Sequence, residues 1–422
     1  MYTIISLKLI YILIMIVKCY SISNVPSIEI NALHDLYNST NGDYWEWKSV
    51  SDAGNHWNFS SNNVNPCDNW QGISCTCTRS ETEYHPFESS YYYFESNDDS
   101  NTIYCSIEKL YLIEYNLYGT LPSSIGQLKN LTQLHLDKNY LHSTIPNSLY
   151  NLTSLIVLSL AGNKNSDKSS GLSGTLNSYI GNITSLQQLR LNSNLFTGSI
   201  PSSISRLNKL MEINIETNTF NGSFTNLINS LATAGTSITT LNLTSNKLTG
   251  SIPSSIGVLK NLKTLEAYYN KISGSIPKEI SNTSITYMAL NNNQLTDKLP
   301  TELGTMIKMS HLDLASNCLT GSLPSELSNL VDMTYLALYG NSFVGKIPSK
   351  VAILPKLNFI DLSSNSLTGS LPLSYSPSIQ TIAFQSNYLE GSLPSSICST
   401  SSLASLDLEE NMVSLYCYNH LI

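Results

Sequence analysis

Residues 338–348 read LYGNSFVGKIP and contain Gly340-x-x-x-x-Gly345-Lys346, seven of the eight positions of a phosphate-binding loop. Such a loop needs Ser or Thr after the Lys to hold Mg²⁺, and it needs strand, loop and helix in that order. Ile347 and Pro348 follow instead, so nucleotide chemistry is not expected. A second candidate is the pair Asp313 and Asp361. They hold equivalent places two repeats apart, hence ~9–10 Å apart if each repeat adds one strand. That lies at or just past the upper edge of the carboxylate spacing of an inverting glycosidase. An open sheet, however, neither encloses nor desolvates a sugar. No H-E-x-x-H and no G-x-S-x-G is present, and the C-x-C at Cys75 and Cys77 has no further ligands at zinc spacing. The expectation is a protein without catalysis, metal or cofactor.

The elements that place these residues are repeats. From Ile107 onward the chain returns to L-x-x-L-x-L-x-x-N-x-L-x-G-x-I/L-P. The Asn, or its substitute, falls at Tyr115, Asn139, Asn163, Asn194, Asn218, Asn246, Asn270, Asn293, Asn317, Asn341, Asn365, Asn387 and Asn411. Eight of these twelve steps are 24 residues, and the others are 31, 28, 23 and 22. L-x-L alternates with period two, which predicts a short strand with its leucines inward. A 24-residue unit cannot bury its own apolar face, so the coils must stack. The Asn amide can satisfy the turn backbone of its own coil and its neighbour. Gly345 is therefore the repeat's Gly, four after Asn341, and Pro348 its Pro.

The flanks and composition suit an oxidising compartment. Lys8 and an apolar run from Leu9 to Val17 precede Ser21 and Ser23, which predicts a signal peptide over 1–23. A signal anchor is the alternative, although the run is shorter than the ~20 apolar residues a span needs. No later segment reads as a span. Six cysteines flank the repeats, with Cys67–Cys75, Cys77–Cys105 and Cys398–Cys417 as the expected pairs. Spacing alone does not fix that connectivity, and Cys318 is left over as a free thiol. Eight sequons stand at Asn38, Asn58, Asn130, Asn151, Asn182, Asn221, Asn242 and Asn282. Net charge is −8, which disfavours nucleic acid.

With its 24-residue period, N-x-L-x-G-x-I/L-P resembles the plant-type extracellular leucine-rich repeat. The segment Pro66-Cys67-Asp68-Asn69-Trp70 to Cys75, after a helix near Ile28 to Tyr37, looks like that class's N-terminal cap. The resemblance implies an α/β repeat solenoid. It would be a right-handed, curved superhelix with a parallel sheet on the concave side and 3₁₀ segments on the convex side. The expected division is signal peptide 1–23, cap 24–104, repeats 105–397, and last repeat with C-terminal cap 398–422. Three departures stand out. Coil three carries an insertion near Asn165 to Ser170. Coil five has Thr225 for Pro and an extra stretch near Ala232 to Gly235. An acidic, tyrosine-rich stretch at 81–100 reads as a stapled surface loop.

Function is expected on the concave face, where the x residues point outward. Acids outnumber bases there ten to three, the bases being Lys109, Lys138 and Arg190. The third position runs Tyr287, His311, Tyr335, Phe359 through four consecutive coils. Tyr268, Tyr269 and Tyr339 lie on the same side, with Glu266, Asp313 and Asp361 among the rings. These ten residues are the candidate partner-binding patch, since aromatics anchor interfaces. The sequon at Asn242 sits on the concave strand of coil six, so a glycan there would shift binding toward coils seven to eleven. The expected function is non-catalytic recognition of a protein or peptide, suited to a basic one. The chain resembles receptor-like ectodomains and secreted polygalacturonase inhibitors. No signalling segment of its own is expected, so signalling would need a separate partner. The alternative is a structural or adhesive role in an extracellular matrix, with ice binding as a minor variant because G-S-I/L-P-S-S recurs.

Overall fold

The computed structural model describes residues 23–61, 64–79, 103–164, 170–235 and 237–414. Residues 1–22 of the expected signal peptide, the stretch 81–100, residues 165–169 of the coil-three insertion and Cys417 lie outside the described residues.

Thirteen coils, counted by their ladder residues from Tyr115 to Asn411, stack into a solenoid. Each opens with a short strand, such as His311–Asp313, Tyr335–Ala337 and Phe359–Asp361. The central residue of each points inward: Leu312 and Leu336 are buried, as is Ile360. The strands pair in parallel without a register shift, Leu312 opposite Leu336 and Leu336 opposite Ile360. Among the described residues they belong to one fifteen-stranded sheet. Its first coil also pairs antiparallel with Ile73–Arg79 of the cap.

The ladder residue closes each strand. Asn317 Nδ2 donates to Leu290 O and Leu314 O, both at 3.0 Å, and its Oδ1 accepts Leu295 N at 3.0 Å. One side chain thus ties a coil to its own turn and to the coil before it. The residue preceding the Asn is left-handed: Lys138, Ser193, Tyr269, Ser316, Gly340 and Ser364 all have φ between 52° and 64°. Gly340, which opens the false phosphate loop, thus sits at a position that is left-handed throughout the array and suits Gly.

Beyond the ladder a second parallel sheet runs through Thr320–Ser322, Ser342–Gly345, Ser366–Ser370, Tyr388–Ser392 and Met412–Ser414. Pro then starts a 3₁₀ turn, as Pro201 does for Ser202–Arg206. The serine two after that Pro serves stacking. Ser148 and Ser203 donate to Ser123 O and Ser178 O of the preceding coil, and Ser396 to Leu373 O. Coil five departs from the expected 3₁₀ segment. Its extra residues lengthen the turn into an α-helix, Phe224–Ala234, with Leu227, Ile228 and Leu231 buried. Ser223 caps it by accepting Asn226 N at 3.2 Å, and Gly235 ends it at φ 60°.

The helix Ser27–Ser39 covers the first coil with Ala32, Leu33 and Leu36, all fully buried. Trp45, Trp57 and Trp70 form the lid's aromatic centre, Trp57 stacked on Trp70 at 5.8 Å. Tyr115 takes the first ladder place without an amide. Its ring is buried edge-on against Trp47 at 6.0 Å, and its N–H is accepted by Asn139 Oδ1. The buried Glu29 accepts Ile107 N at 2.8 Å, which satisfies an amide at the array's open edge.

Candidate functional site

Two rows of side chains cross the concave face over coils seven to thirteen. The first is the aromatic row. Tyr287, His311, Tyr335 and Phe359 stack face to face, with centroids 4.0, 4.2 and 4.4 Å apart and planes within 8° of parallel. The spacing falls short of the ~4.7–4.9 Å between strands because the face is concave and its rings lean together. Stacking spends the ring faces on one another. The half-buried row offers a partner its edges and the Tyr hydroxyls.

The second row lies two residues further along each strand. In register it reads Glu266, Ala289, Asp313, Ala337, Asp361, Ala383, Asp407. A carboxylate alternates with a methyl group on seven successive strands. The three aspartates share one posture. Oδ1 accepts the amide two residues on: Ala315 N at 3.1 Å, Ser363 N at 3.0 Å and Glu409 N at 3.1 Å. Ser363 Oγ adds a bond to the same Oδ1 of Asp361. Each Oδ2 is without a hydrogen bond among the described residues.

Glu266, Asp313 and Asp361 are desolvated, and among the described residues no counter-ion pairs with the row. Burial lifts Asp313 to about 6, with the charge of Asp361 adding to the rise. Asp361 is raised by burial and Asp407, and Glu266 by burial and Glu216. Burial lowers His311 to about 4, so the imidazole inside the stack is neutral at pH 7. Tyr335 is pushed to about 12 by burial and then by Asp313. Tyr339 is raised by burial and then by the charges of Asp313 and Asp361. Tyr268 meets Tyr269 edge-on at 5.7 Å, and the charge of Glu266 acts on both Tyr268 and Tyr287. All ten expected residues therefore fall in one patch.

The N-terminal half of the face differs in that two of its acids meet cations. Arg190 makes a two-pronged ion pair with Glu212 at 2.7 and 2.8 Å, and Lys138 meets Glu114 at 2.7 Å. It also holds a cluster that sequence reasoning missed: His135, Asp137 and Ser159 on adjoining coils. Ser159 Oγ donates to Asp137 Oδ1, not to the imidazole, whose Nε2 has no partner in the structure. His135 Nδ1 lies 3.7 Å from Asp137 Oδ2, and its ring stacks on Tyr111 at 4.6 Å. A nucleophilic serine must give its proton to the base. Here it gives it to the acid, so the geometry is that of a buried polar knot.

Cys67–Cys75 and Cys77–Cys105 are disulfides, and Cys318 is free and exposed. Cys398 is disulfide-bonded as well, its expected partner Cys417 lying outside the described residues. Of the sequon asparagines, Asn38, Asn58, Asn130, Asn151, Asn221 and Asn282 are exposed, whereas Asn182 and Asn242 are half-buried. Asn242 pairs in register with Glu266 and donates to Glu216 Oε2 at 3.1 Å. Among the described residues no helix is long and apolar enough to cross a membrane.

The model of the Leucine Rich Repeat family matches residues 130–152, 185–207, 237–259, 261–283 and 308–330. A solved leucine-rich-repeat protein of Leptospira interrogans is 30% identical, with 69% of each chain covered and a TM-score of 0.55. The chain belongs to the leucine-rich-repeat family. Its repeats are of the plant-type extracellular class. A TDR receptor structure is 28% identical over 72% of this chain, with a TM-score of 0.57. The Arabidopsis receptor kinase HAESA, solved with the peptide hormone IDA and the co-receptor SERK1, is 28% identical over 72% of it, with a TM-score of 0.52. This leucine-rich-repeat chain spans 60% and 62% of those two receptor chains. No curated protein matches the sequence.

Proposed function

We propose that the protein is an extracellular recognition module. It would bind a basic protein or peptide on the concave face of coils seven to thirteen and act without catalysis. The observation that carries this reading is the row of uncompensated, half-buried carboxylates beside the stacked rings. Charges that cost desolvation and find no internal partner gain most from an external cation. Aromatic edges and Tyr hydroxyls next to them supply contact area and direction. The HAESA structure, with its peptide hormone and co-receptor, supports a peptide-sized ligand and signalling through a separate chain. The Lys138–Glu114 and Arg190–Glu212 ion pairs satisfy two acids of the N-terminal half and make it less suited to a basic partner. The exposed sequons are proposed as glycan sites, and a glycan on Asn242 would bound the patch beside Glu266.

The test is affinity capture from the extracellular fraction with the full chain, compared with Tyr287→Ala combined with Tyr335→Ala. Loss of the captured partner, with unchanged circular dichroism, supports the concave reading. Undiminished capture rejects it.

A further inference from the structure

The acidic row repeats every second coil, and this sets a length that a ligand must match. At strand level two coils span ~9.4–9.8 Å. At ring height the adjacent stacking distances are 4.0, 4.2 and 4.4 Å, so two coils there span 8.2 to 8.6 Å. A cationic ligand lying across the strands must therefore present a charge on one face every ~8–10 Å. An extended strand places same-face residues ~6.6–6.8 Å apart, and its i+3 residue points away. An α-helix returns to one face after ~6 Å at i+4 and ~10.5 Å at i+7, missing the window on both sides. A polyproline II helix has three residues per turn and ~3.1 Å rise, so i and i+3 share a face ~9.3 Å apart. It alone fits.

Three further observations agree. Asp313, Asp361 and Asp407 hold Oδ1 on the amide two residues on, so each Oδ2 is presented alike at successive steps. Ala289, Ala337 and Ala383, all buried, separate the carboxylates and put no charge between them. Polyproline II segments dock in aromatic-lined grooves, and the Tyr287–Phe359 stack lies beside the row. No ion pair neutralises Glu266, Asp313, Asp361 or Asp407 among the described residues.

We propose that coils seven to thirteen bind a polyproline II segment carrying Lys or Arg at every third residue. Its cations sit on Asp313, Asp361 and Asp407, and Glu266 takes a fourth. Its prolines occupy the other two faces of the threefold helix, one of which turns toward the Tyr287–Phe359 stack. This deepens the concave-face reading and rests on it.

The experiment uses the full chain and a synthetic peptide of repeated Pro-Pro-Lys. About twelve residues at ~3.1 Å each span the four carboxylates. Two comparison peptides are an isomer of the same composition with its lysines in one block, and a Gly-Gly-Lys repeat of equal charge. The expected result is that the periodic peptide binds about tenfold or more tighter than either. Asp313→Asn with Asp361→Asn should erase that preference. Equal affinity for the periodic and block peptides overturns the inference. If both are nevertheless lost in the double variant, concave recognition of basic partners survives without the spacing rule. Binding of all peptides that is unchanged in the double variant overturns both readings.

Discussion

Asp313 and Asp361 stand in the same register on strands two apart, with the methyl group of Ala337 between them. Each leans on the amide two residues on, and neither has a cation nearby. The pair costs the fold something that its sequence position does not reveal. The array holds charge where water is scarce, which is the condition under which an added cation is bound best.

Asp313 should therefore trade stability for binding. Its folded pKa, about 6, lies above the ordinary 3.8, so the folded state takes up its proton first as pH falls. That stabilisation is fully present below about 3.8 and is lost as pH rises through about 6. Asp313→Asn should melt higher than the wild type at pH 8, with the difference vanishing toward pH 4. A variant that melts lower at pH 8 would show that the carboxylate is internally satisfied after all. Binding of a basic peptide should weaken as pH drops below about 6.

His311 runs the other way. Burial between Tyr287 and Tyr335 depresses its pKa from 6.5 to about 4, so the unfolded chain is protonated first. Its stability contribution is present above 6.5 and is lost as pH falls toward 4. His311→Phe keeps the stack and removes the titration. Urea midpoints of this variant should lose acid sensitivity between pH 6.5 and 4, and should expose the opposite slope due to Asp313. An unchanged pH profile would mean that the imidazole titrates freely.

The solenoid was legible because Leu, Asn, Gly and Pro each serve one backbone need per coil. The patch was legible as a set of residues. Its order was not: a count of acids on the face says nothing of their alternation with Ala289, Ala337 and Ala383. Writing the fifth positions of successive coils in sequence displays the alternation directly. The coil-five helix was also written in the chain. Phe224, Leu227, Ile228 and Leu231 follow i, i+3, i+4, i+7, between the cap Ser223 and the stop Gly235. The repeat pattern masked it. What no sequence spacing conveys is desolvation. The shifts of Asp313 and His311 depend on how closely four rings pack.

The cap offers a sharper test of edge protection. Glu29 is buried and accepts Ile107 N at 2.8 Å, with burial raising its pKa. Glu29→Ala should strand that amide and cost about 1–3 kcal/mol. Glu29→Gln keeps an acceptor without the charge and should be near neutral in chemical denaturation. Equal losses in both variants would assign the effect to packing of the helix Ser27–Ser39 rather than to the hydrogen bond.

The ladder predicts a local failure. Asn317 joins coil nine to coil eight through Leu290 O and Leu295 N, and to its own turn through Leu314 O. Asn317→Ala strands the Leu295 N–H, at about 1–3 kcal/mol, whereas Leu290 O and Leu314 O still accept from Asn293 and Asn341. Solenoid stability is a sum of nearest-neighbour terms, so the loss stays near its origin. Hydrogen exchange should quicken at Leu295 and adjoining amides of coils eight to ten, while Leu33 and Leu36 in the cap helix keep their protection. Because Asp313 lies on coil nine, the same variant should weaken a basic ligand although it touches none of the ligand's atoms. Protection lost evenly from cap to last coil would instead show that the array unfolds as one unit. The patch would then owe its geometry to the whole solenoid rather than to its own coils.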